Sequence, residues 1–337
     1  MKRTAWARWR RPVLILLGAG AVVYLAYQVG LGAVWDSIHT LGWRLLIVIV
    51  VPHSIAAILD TIGWGLLLES RVPALVLTRA RLAGETVNLT TPTASVGGEP
   101  LKAYLLRPHV PMSEGLASVV ADKTAVVVSQ VGFLACGLAL ALHLLPAGHP
   151  LMISMSALLA IEIVAVGGFL LVQTRGVFGG GGRTLGRLGV GPAVKYQEGL
   201  NALDLWLRRF YRERRARLLG ASLLHGAAWA IGGLEIYLVL TLLGTPTSMV
   251  AALVIEAFGA AIKFASFMIP GSLGALEGGF VAIFTAFGQS AATGLSYALI
   301  RRVREAVWSG ATLLWLASLR ARTDLMEPDS RTSDNVS

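Results

Sequence analysis

Residues 91–100 read TPTASVGGEP, and residues 269–279 read IPGSLGALEGG. Each is a run of helix-breaking and small residues in the middle of apolar sequence, and each contains a glutamate. The surroundings match too. An ionisable residue is followed seven positions on by a proline, seven further by a glutamate, and about two dozen positions later by a second ionisable cluster. In the first case these are Glu85, Pro92, Glu99, then Asp122 and Lys123; in the second, Lys263, Pro270, Glu277, then Arg301 and Arg302. Charges and breakers at the same offsets inside hydrophobic sequence point to a duplicated membrane unit whose broken segments line a polar path.

The composition agrees. Hydrophobic residues make up 55% of the 337 positions and charged residues 14%, with mean hydropathy +0.67, outside the range of a soluble globular domain. The formal charge of +10 does not indicate a nucleic-acid partner, because the basic residues fall in blocks flanking apolar runs. Such blocks set topology and contact anionic lipid. The single cysteine, Cys136, lies in an apolar run and has no internal partner with which to form a disulfide.

A bilayer core of ~30 Å needs ~20 helical residues, and six runs satisfy this: Pro12 to Gly30, Leu45 to Leu68, Leu116 to Leu145, Leu151 to Gln173, Leu218 to Leu243 and Ala291 to Leu319. Two further apolar stretches, Arg81 to Arg107 and Ser248 to Gly288, are broken mid-length. Unpaired backbone there cannot face lipid, so it must be buried in protein or line water. The fold expected is therefore an all-α polytopic membrane protein with six full spans and two broken re-entrant hairpins in an inverted repeat.

Lys and Arg crowd the N-terminus, the segment from Glu69 to Arg81, the segment from Arg175 to Arg217, and the C-terminus. The positive-inside rule then predicts that both termini are cytoplasmic. This parity requires each broken stretch to enter and leave on one side, as a hairpin or as a pair of crossings. The organisation expected is a first repeat over 1–175, a Gly-rich linker with an amphipathic elbow helix over 176–217, a second repeat over 151–175 and 218–320, and a disordered tail over 321–337. On the elbow, Val194, Leu200, Leu203, Leu207 and Phe210 share one helical face, which suits the inner leaflet.

The intramembrane charges are the candidate site residues. Arg301, Arg302 and Arg304 lie about ten residues into the last span, where facing lipid would cost roughly 2.5–17 kcal/mol each. Glu305 can pair along the helix with Arg301 or Arg302. Three guanidiniums against one local carboxylate leave an excess whose planar fork suits phosphate. Ser118, Asp122 and Ser129 form a polar stripe on the third span, while Asp60, Glu162 and Glu235 each interrupt an apolar run. Glu256 and Lys263 share a face of the second broken element. The full candidate set is Glu99, Asp122, Lys123, Lys263, Glu277, Arg301, Arg302, Arg304 and Glu305. Gly97, Gly98, Gly271 and Gly274, with Pro92 and Pro270, supply hairpin backbone that allows close approach.

No P-loop, HExxH or GxSxG motif occurs, and the histidines are scattered, so neither a cofactor nor a metal is expected. Asn88-Leu89-Thr90 matches a glycosylation sequon but lies inside a broken membrane element.

The stretches GETVNLTTPTASVGGEPLKAYLL (84–106), LASVVADKTAVV (116–127), IPGSLGALEGGFVAIF (269–284) and LIRRVREAVW (299–308) closely resemble the lysylphosphatidylglycerol synthase transmembrane-domain family. This includes the flippase half of bacterial multiple peptide resistance factors and stand-alone flippase-like proteins, some associated with hopanoid synthesis. The resemblance implies a bacterial inner-membrane protein that moves a lipid between leaflets, a phospholipid or a hopanoid-like molecule, and that works near lipid-synthesis enzymes. It maps the family's GGE onto Gly97, Gly98 and Glu99, its second hairpin motif onto Pro270 through Gly278, and its arginine-rich turn onto Arg301 through Glu305. The large cytosolic aminoacyl-transferase domain of the resistance factors has no counterpart after the last span. Synthesis of an aminoacyl lipid is not expected, and lysylphosphatidylglycerol does not follow as cargo.

The expectation is thus a non-enzymatic lipid flippase or scramblase. The alternatives are an intramembrane transferase acting on lipid-linked substrates, with Asp122 or Glu99 as base, and a non-transporting partner of lipid-modifying enzymes.

Overall fold

The computed structural model describes residues 31–90, 97–175, 197–245 and 247–326, and every regular element among them is helical. The first expected span, Pro12 to Gly30, the Gly-rich linker and the far C-terminal tail lie outside the described residues.

In chain order the helices are α1 (Leu31–Leu41), α2 (Arg44–Leu66), α3 (Ala74–Thr90), α4 (Glu99–Leu106), α5 (Met112–Ala141), α6 (Pro150–Arg175), α7 (Gln197–Glu213), α8 (Arg215–Leu242), α9 (Met249–Ala265), α10 (Ala275–Ala286) and α11 (Ala291–Met326). Of these, α2, α5, α6 and α8 are long and apolar enough to cross a membrane. The 36-residue α11 has the length, but its arginine cluster lowers the hydropathy of the segment.

Burial is inverted relative to a water-soluble protein. On α6, Val164 is 75% exposed while Glu162, two residues away, is fully buried; Leu314 on α11 is 76% exposed while Arg304 is buried. Apolar side chains outward and charges inward is the arrangement that minimises free energy in lipid.

The centre of the molecule is α5 packed on α8, with α2 and α9 on either side of that pair. Small residues permit close approach. A methyl at Gly137 of α5 would stand 2.5 Å from Ala257 Cβ of α9, and one at Gly233 of α8 would stand 2.7 Å from Leu253 Cδ2. Around these contacts Leu134, Ile236, Phe258, Phe280, Phe284 and Tyr297 form the main core. Proline 52 lies inside the continuous α2, and one turn before it the indole of Trp308 on α11 donates to the Ile49 carbonyl at 3.1 Å.

Both broken stretches fold as antiparallel helix pairs. In the first, α3 and α4 pack together, with Gly84 against Gly98 and Lys102, and Asn88 against Gly98 and Glu99. In the second, α9 and α10 pack together, with Ile262 against Gly279 and Gly259 against Phe280.

The amphipathic α7 buries Leu207 and Phe210, the latter against Leu67, Ala121 and Ala221. That part of its apolar face covers the protein's own helices. Burial against α5 and α6 pushes the Tyr211 phenol up to about 12, while on the solvent side the hydrogen bond from Arg209 holds the Glu213 carboxyl below its ordinary value.

Candidate functional site

The first helix pair closes backbone to backbone. A methyl on Gly98 would meet the Gly84 carbonyl oxygen at 1.9 Å, so neither partner can move aside by a rotamer change. The Asn88 side chain ties the junction: its Oδ1 accepts from Gly98 N at 2.7 Å and its Nδ2 donates to Glu99 Oε1 at 3.1 Å. Glu99 is the first residue of α4, where the helix dipole favours a carboxylate. Its partners are Lys102 Nζ at 3.0 Å and, from α5, Lys123 Nζ at 3.9 Å. The Lys102 ammonium also lies 5.9 Å from the centre of the buried Trp64 ring, whose N–H donates to Ser118.

The second pair turns through left-handed backbone at Gly271, Ser272 and Gly274 (φ 58°, 53° and 80°). Glycine adopts this at little cost, whereas Ser272 is held there by its surroundings. Glu277, in the first turn of α10, accepts from Gly274 N at 2.7 Å and from Arg302 Nε at 2.6 Å. Each guanidinium in the arginine-rich turn of α11 has a carboxylate partner, while the buried Arg301 Nε, Arg302 Nη2 and Arg304 Nε have no hydrogen-bond partner. Arg301 Nη1 binds both Glu256 oxygens at 2.8 and 3.1 Å, Arg302 Nη1 binds Glu305 at 2.9 Å, and Arg304 binds Glu235.

The excess of guanidinium expected from local sequence does not exist. Glu235 and Glu256, supplied by α8 and α9, neutralise Arg304 and Arg301. Between these groups lies a cleft of about 160 Å³ lined by Glu277, Arg301, Arg302, Glu305 and Phe280. It is too narrow for a water-sized sphere.

A third set of charges sits one layer away. Arg81 Nη2 bridges Asp60 Oδ2 at 2.8 Å and Glu85 Oε1 at 2.6 Å. The other Asp60 oxygen meets His225 Nδ1 at 2.6 Å, and His225 Nε2 meets Asp122 Oδ1 at 3.0 Å.

The two halves touch. A methyl on Gly271 would lie 3.7 Å from Leu89 Cδ1 of the first pair and 3.6 Å from Arg302 Nη1, and α3 packs on both the second tip and α11. Lys263 is exposed and within electrostatic reach of Glu85 on one side and Glu305 on the other. His53, its ring tilted against that of Trp308 with centroids 4.7 Å apart, is within electrostatic reach of Arg304, Arg81 and Asp60.

Every candidate site residue named from sequence therefore lies in one connected polar region. Glu99, Lys123 and Asp122 are on its first-half side, and Lys263, Glu277, Arg301, Arg302, Arg304 and Glu305 on its second. The equivalence of the two motifs reappears as contact: Glu99 meets Lys123 as Glu277 meets Arg302, each glutamate at the start of the returning helix. Gly98 lies against Gly84 at the first junction, Gly271 and Gly274 hold positive φ in the second turn, Gly97 adjoins the junction, and Pro270 opens the second turn. Pro92 lies outside the described residues.

Sequence reasoning missed Arg81, Asn88, Lys102 and His225. Arg81, which charge counting assigns to a loop, is 7% exposed and doubly paired. The signal for His225 was a titratable residue inside an apolar run.

On the side of the first helix pair lie four carboxylates (Asp60, Glu85, Glu99, Asp122) and three lysine or arginine cations (Arg81, Lys102, Lys123), with His225 reaching in from α8. The second half contributes Glu235, Glu256, Glu277 and Glu305 against Lys263, Arg301, Arg302 and Arg304. Among the described residues no cluster of His, Cys, Asp and Glu has the arrangement of a metal site.

Residues 13–308 match the family model described as the lysylphosphatidylglycerol synthase TM region. A UPF0104 membrane protein of Methanothermobacter thermautotrophicus is 22% identical over 316 residues, spanning 86% of this chain and 90% of that protein. No solved structure matches.

Proposed function

The chain belongs to the lysylphosphatidylglycerol synthase TM region family, and from that premise we propose that it is a membrane lipid flippase or scramblase and not an enzyme. In this reading α3 with α4, and α9 with α10, are re-entrant hairpins entering from opposite faces. The sequence span, broken pair, span (α2, α3 with α4, α5; then α8, α9 with α10, α11) is an inverted repeat. The outer spans, with the run from Pro12 to Gly30, complete six crossings of a bacterial inner membrane with both termini cytoplasmic.

The observation that carries the reading is Arg302. Its guanidinium binds Glu277 at the second tip and adjoins Gly271, against which Leu89 of the first tip packs. Its two carboxylate partners, Glu277 and Glu305, hold a cation suited to phosphate at the junction where the two tips meet. A lipid phosphate arriving there can replace one carboxylate while the other stays bound, so the guanidinium is never left bare in low dielectric. The tails stay in the bilayer beside the exposed apolar faces of α6 and α11. Partner exchange requires the cleft to widen.

The test is a leaflet-accessibility assay with purified full-length chain in proteoliposomes containing a headgroup-labelled phospholipid. Wild type is expected to expose inner-leaflet label to an impermeant quencher, and Arg302→Ala to do so at least tenfold more slowly. Protein-free rates in the wild-type vesicles would exclude the flippase and scramblase reading. Equal rates in the variant would remove Arg302 from it.

A further inference from the structure

We propose that His225, held between Asp60 and Asp122, is a proton-binding site whose loading and release accompany movement of the lipid headgroup. The inference rests on the flippase reading for its second half only; the first half stands on geometry.

A neutral imidazole has one N–H and can donate to one carboxylate. At His225 both ring nitrogens face carboxylate oxygens, at 2.6 and 3.0 Å, and both bonds are donated only when the ring carries two protons. The side chain is 1% exposed, so no water shell compensates a missing bond. Ring position is fixed from below as well, since a methyl on Gly63 would stand 3.2 Å from Cε1 and Nε2.

Charge balance gives the second, independent argument. The cluster around the second helix pair balances its four carboxylates with lysine and arginine alone. The cluster around the first helix pair balances only when His225 is an imidazolium, and buried charge sets of low dielectric are stable when balanced. His225 therefore occupies the place of a fourth cation, but one that can leave as a proton.

The neighbours on each side are defined. From α2 comes Asp60, with His53 further back on the same helix. Helix α3 brings Arg81 and Glu85, α4 brings Lys102, and α5 brings Asp122 and Lys123. Helix α9 packs further along α8 with Glu256, which is taken by Arg301. Near the start of α8, α7 meets Ala221 through Phe210, an uncharged contact. The most exposed carboxylate of the set is Glu85, whose side chain is 36% exposed and which lies in electrostatic reach of the exposed Lys263.

The chemistry is a single N–H transfer. With the ring doubly protonated the imidazolium balances Asp60 and Asp122. When water reaches Asp60, one N–H proton passes to that water; a proton taken up from water on the other face restores the imidazolium. Arg81 stays charged throughout and keeps Asp60 an acceptor.

Two measurements on the full-length chain test this. The first is thermal unfolding in detergent between about pH 5 and 9, comparing wild type with His225→Gln, which keeps hydrogen bonding but cannot bind a proton. Wild type is expected to lose stability relative to His225→Gln as the pH rises through the point where the ring releases its second proton, because protons bound only by the folded state stabilise it. Parallel curves overturn the proton site. Should His225→Gln not fold, Asp122→Asn serves instead: with one carboxylate gone, the inflection is expected at lower pH, and an unmoved inflection overturns the proposal.

The second measurement is proteoliposomes carrying a trapped pH dye and labelled phospholipid. Proton movement is expected to accompany lipid movement in wild type and to vanish in His225→Gln. Lipid movement with no proton flux overturns the coupling and leaves the flippase reading intact. A thermal inflection with no lipid movement in wild type overturns the flippase reading and the coupling with it, leaving a proton-binding site.

Discussion

Glu277 holds the start of α10 and the arginine turn of α11 at once: one oxygen accepts from Gly274 N at 2.7 Å and the other from Arg302 Nε at 2.6 Å. Gly274 has no side chain to return the bond, so this is half of a capping box. Glu277→Gln keeps an acceptor for the cap and loses the ion pair, whereas Glu277→Ala loses both and strands the second tip. Glu277→Ala is expected to cost about 3–5 kcal/mol of stability, and Glu277→Gln distinctly less. Melting temperatures in detergent read this, and equal losses would show that the cap contributes nothing.

Arg302 spreads two different nitrogens over two carboxylates, Nε on Glu277 and Nη1 on Glu305. A lysine offers one compact ammonium and no fork. Arg302→Lys is therefore expected to lose about 1.5–3 kcal/mol, the value of one charged hydrogen bond, despite keeping its charge. A double-mutant cycle with Glu305→Gln checks it: if Arg302→Lys costs the same in both backgrounds, the fork is irrelevant.

Gly98→Ala places a methyl 1.9 Å from the Gly84 carbonyl oxygen, and the atom in the way is backbone. Overpacking of this kind costs about 1–3 kcal/mol or more. Gly132→Ala on α5 meets nothing within 4 Å and is expected to gain up to about 1 kcal/mol from helix propensity. Opposite signs in paired thermal unfolding experiments are the expected outcome. A neutral Gly98→Ala would mean that α3 and α4 are not in backbone contact.

The parts of this architecture that could be read from sequence are those encoded at fixed offsets or by long runs. Glu99 and Glu277 stood out because their spacing to Pro92 and Pro270 repeats, and α2, α5, α6 and α8 because continuous apolar sequence leaves a membrane helix as the solution. What was hidden depends on long-range contacts. Asp122 and Asp60 meet His225 across 103 and 165 positions, and no local pattern links them. Charge counting along α11 alone left Arg301 and Arg304 unbalanced, since Glu256 and Glu235 arrive from 45 and 69 positions away. Arg81 was misjudged because a basic residue near a membrane edge reads as a topology signal until its two carboxylate partners are in place.

Lys263 is where water should first reach the junction. It is exposed although it sits in a helix whose other face is core, and it stands in electrostatic reach of Glu85 from the first helix pair and Glu305 from α11. A side chain in that position is expected to border an aqueous inlet, whereas Leu314, 76% exposed, is expected to border lipid. The chain has one cysteine, Cys136, so Cys136→Ser gives a background without thiols. In that background Lys263→Cys in sealed vesicles is expected to react with an impermeant maleimide added to one side only, and Leu314→Cys to react from neither. Thiolate chemistry needs water, so the contrast separates a wet surface from a lipid-facing one. Labelling of Lys263→Cys no faster than Leu314→Cys would mean that the charges between the two helix pairs have no aqueous access, and translocation of a headgroup through them would then be untenable.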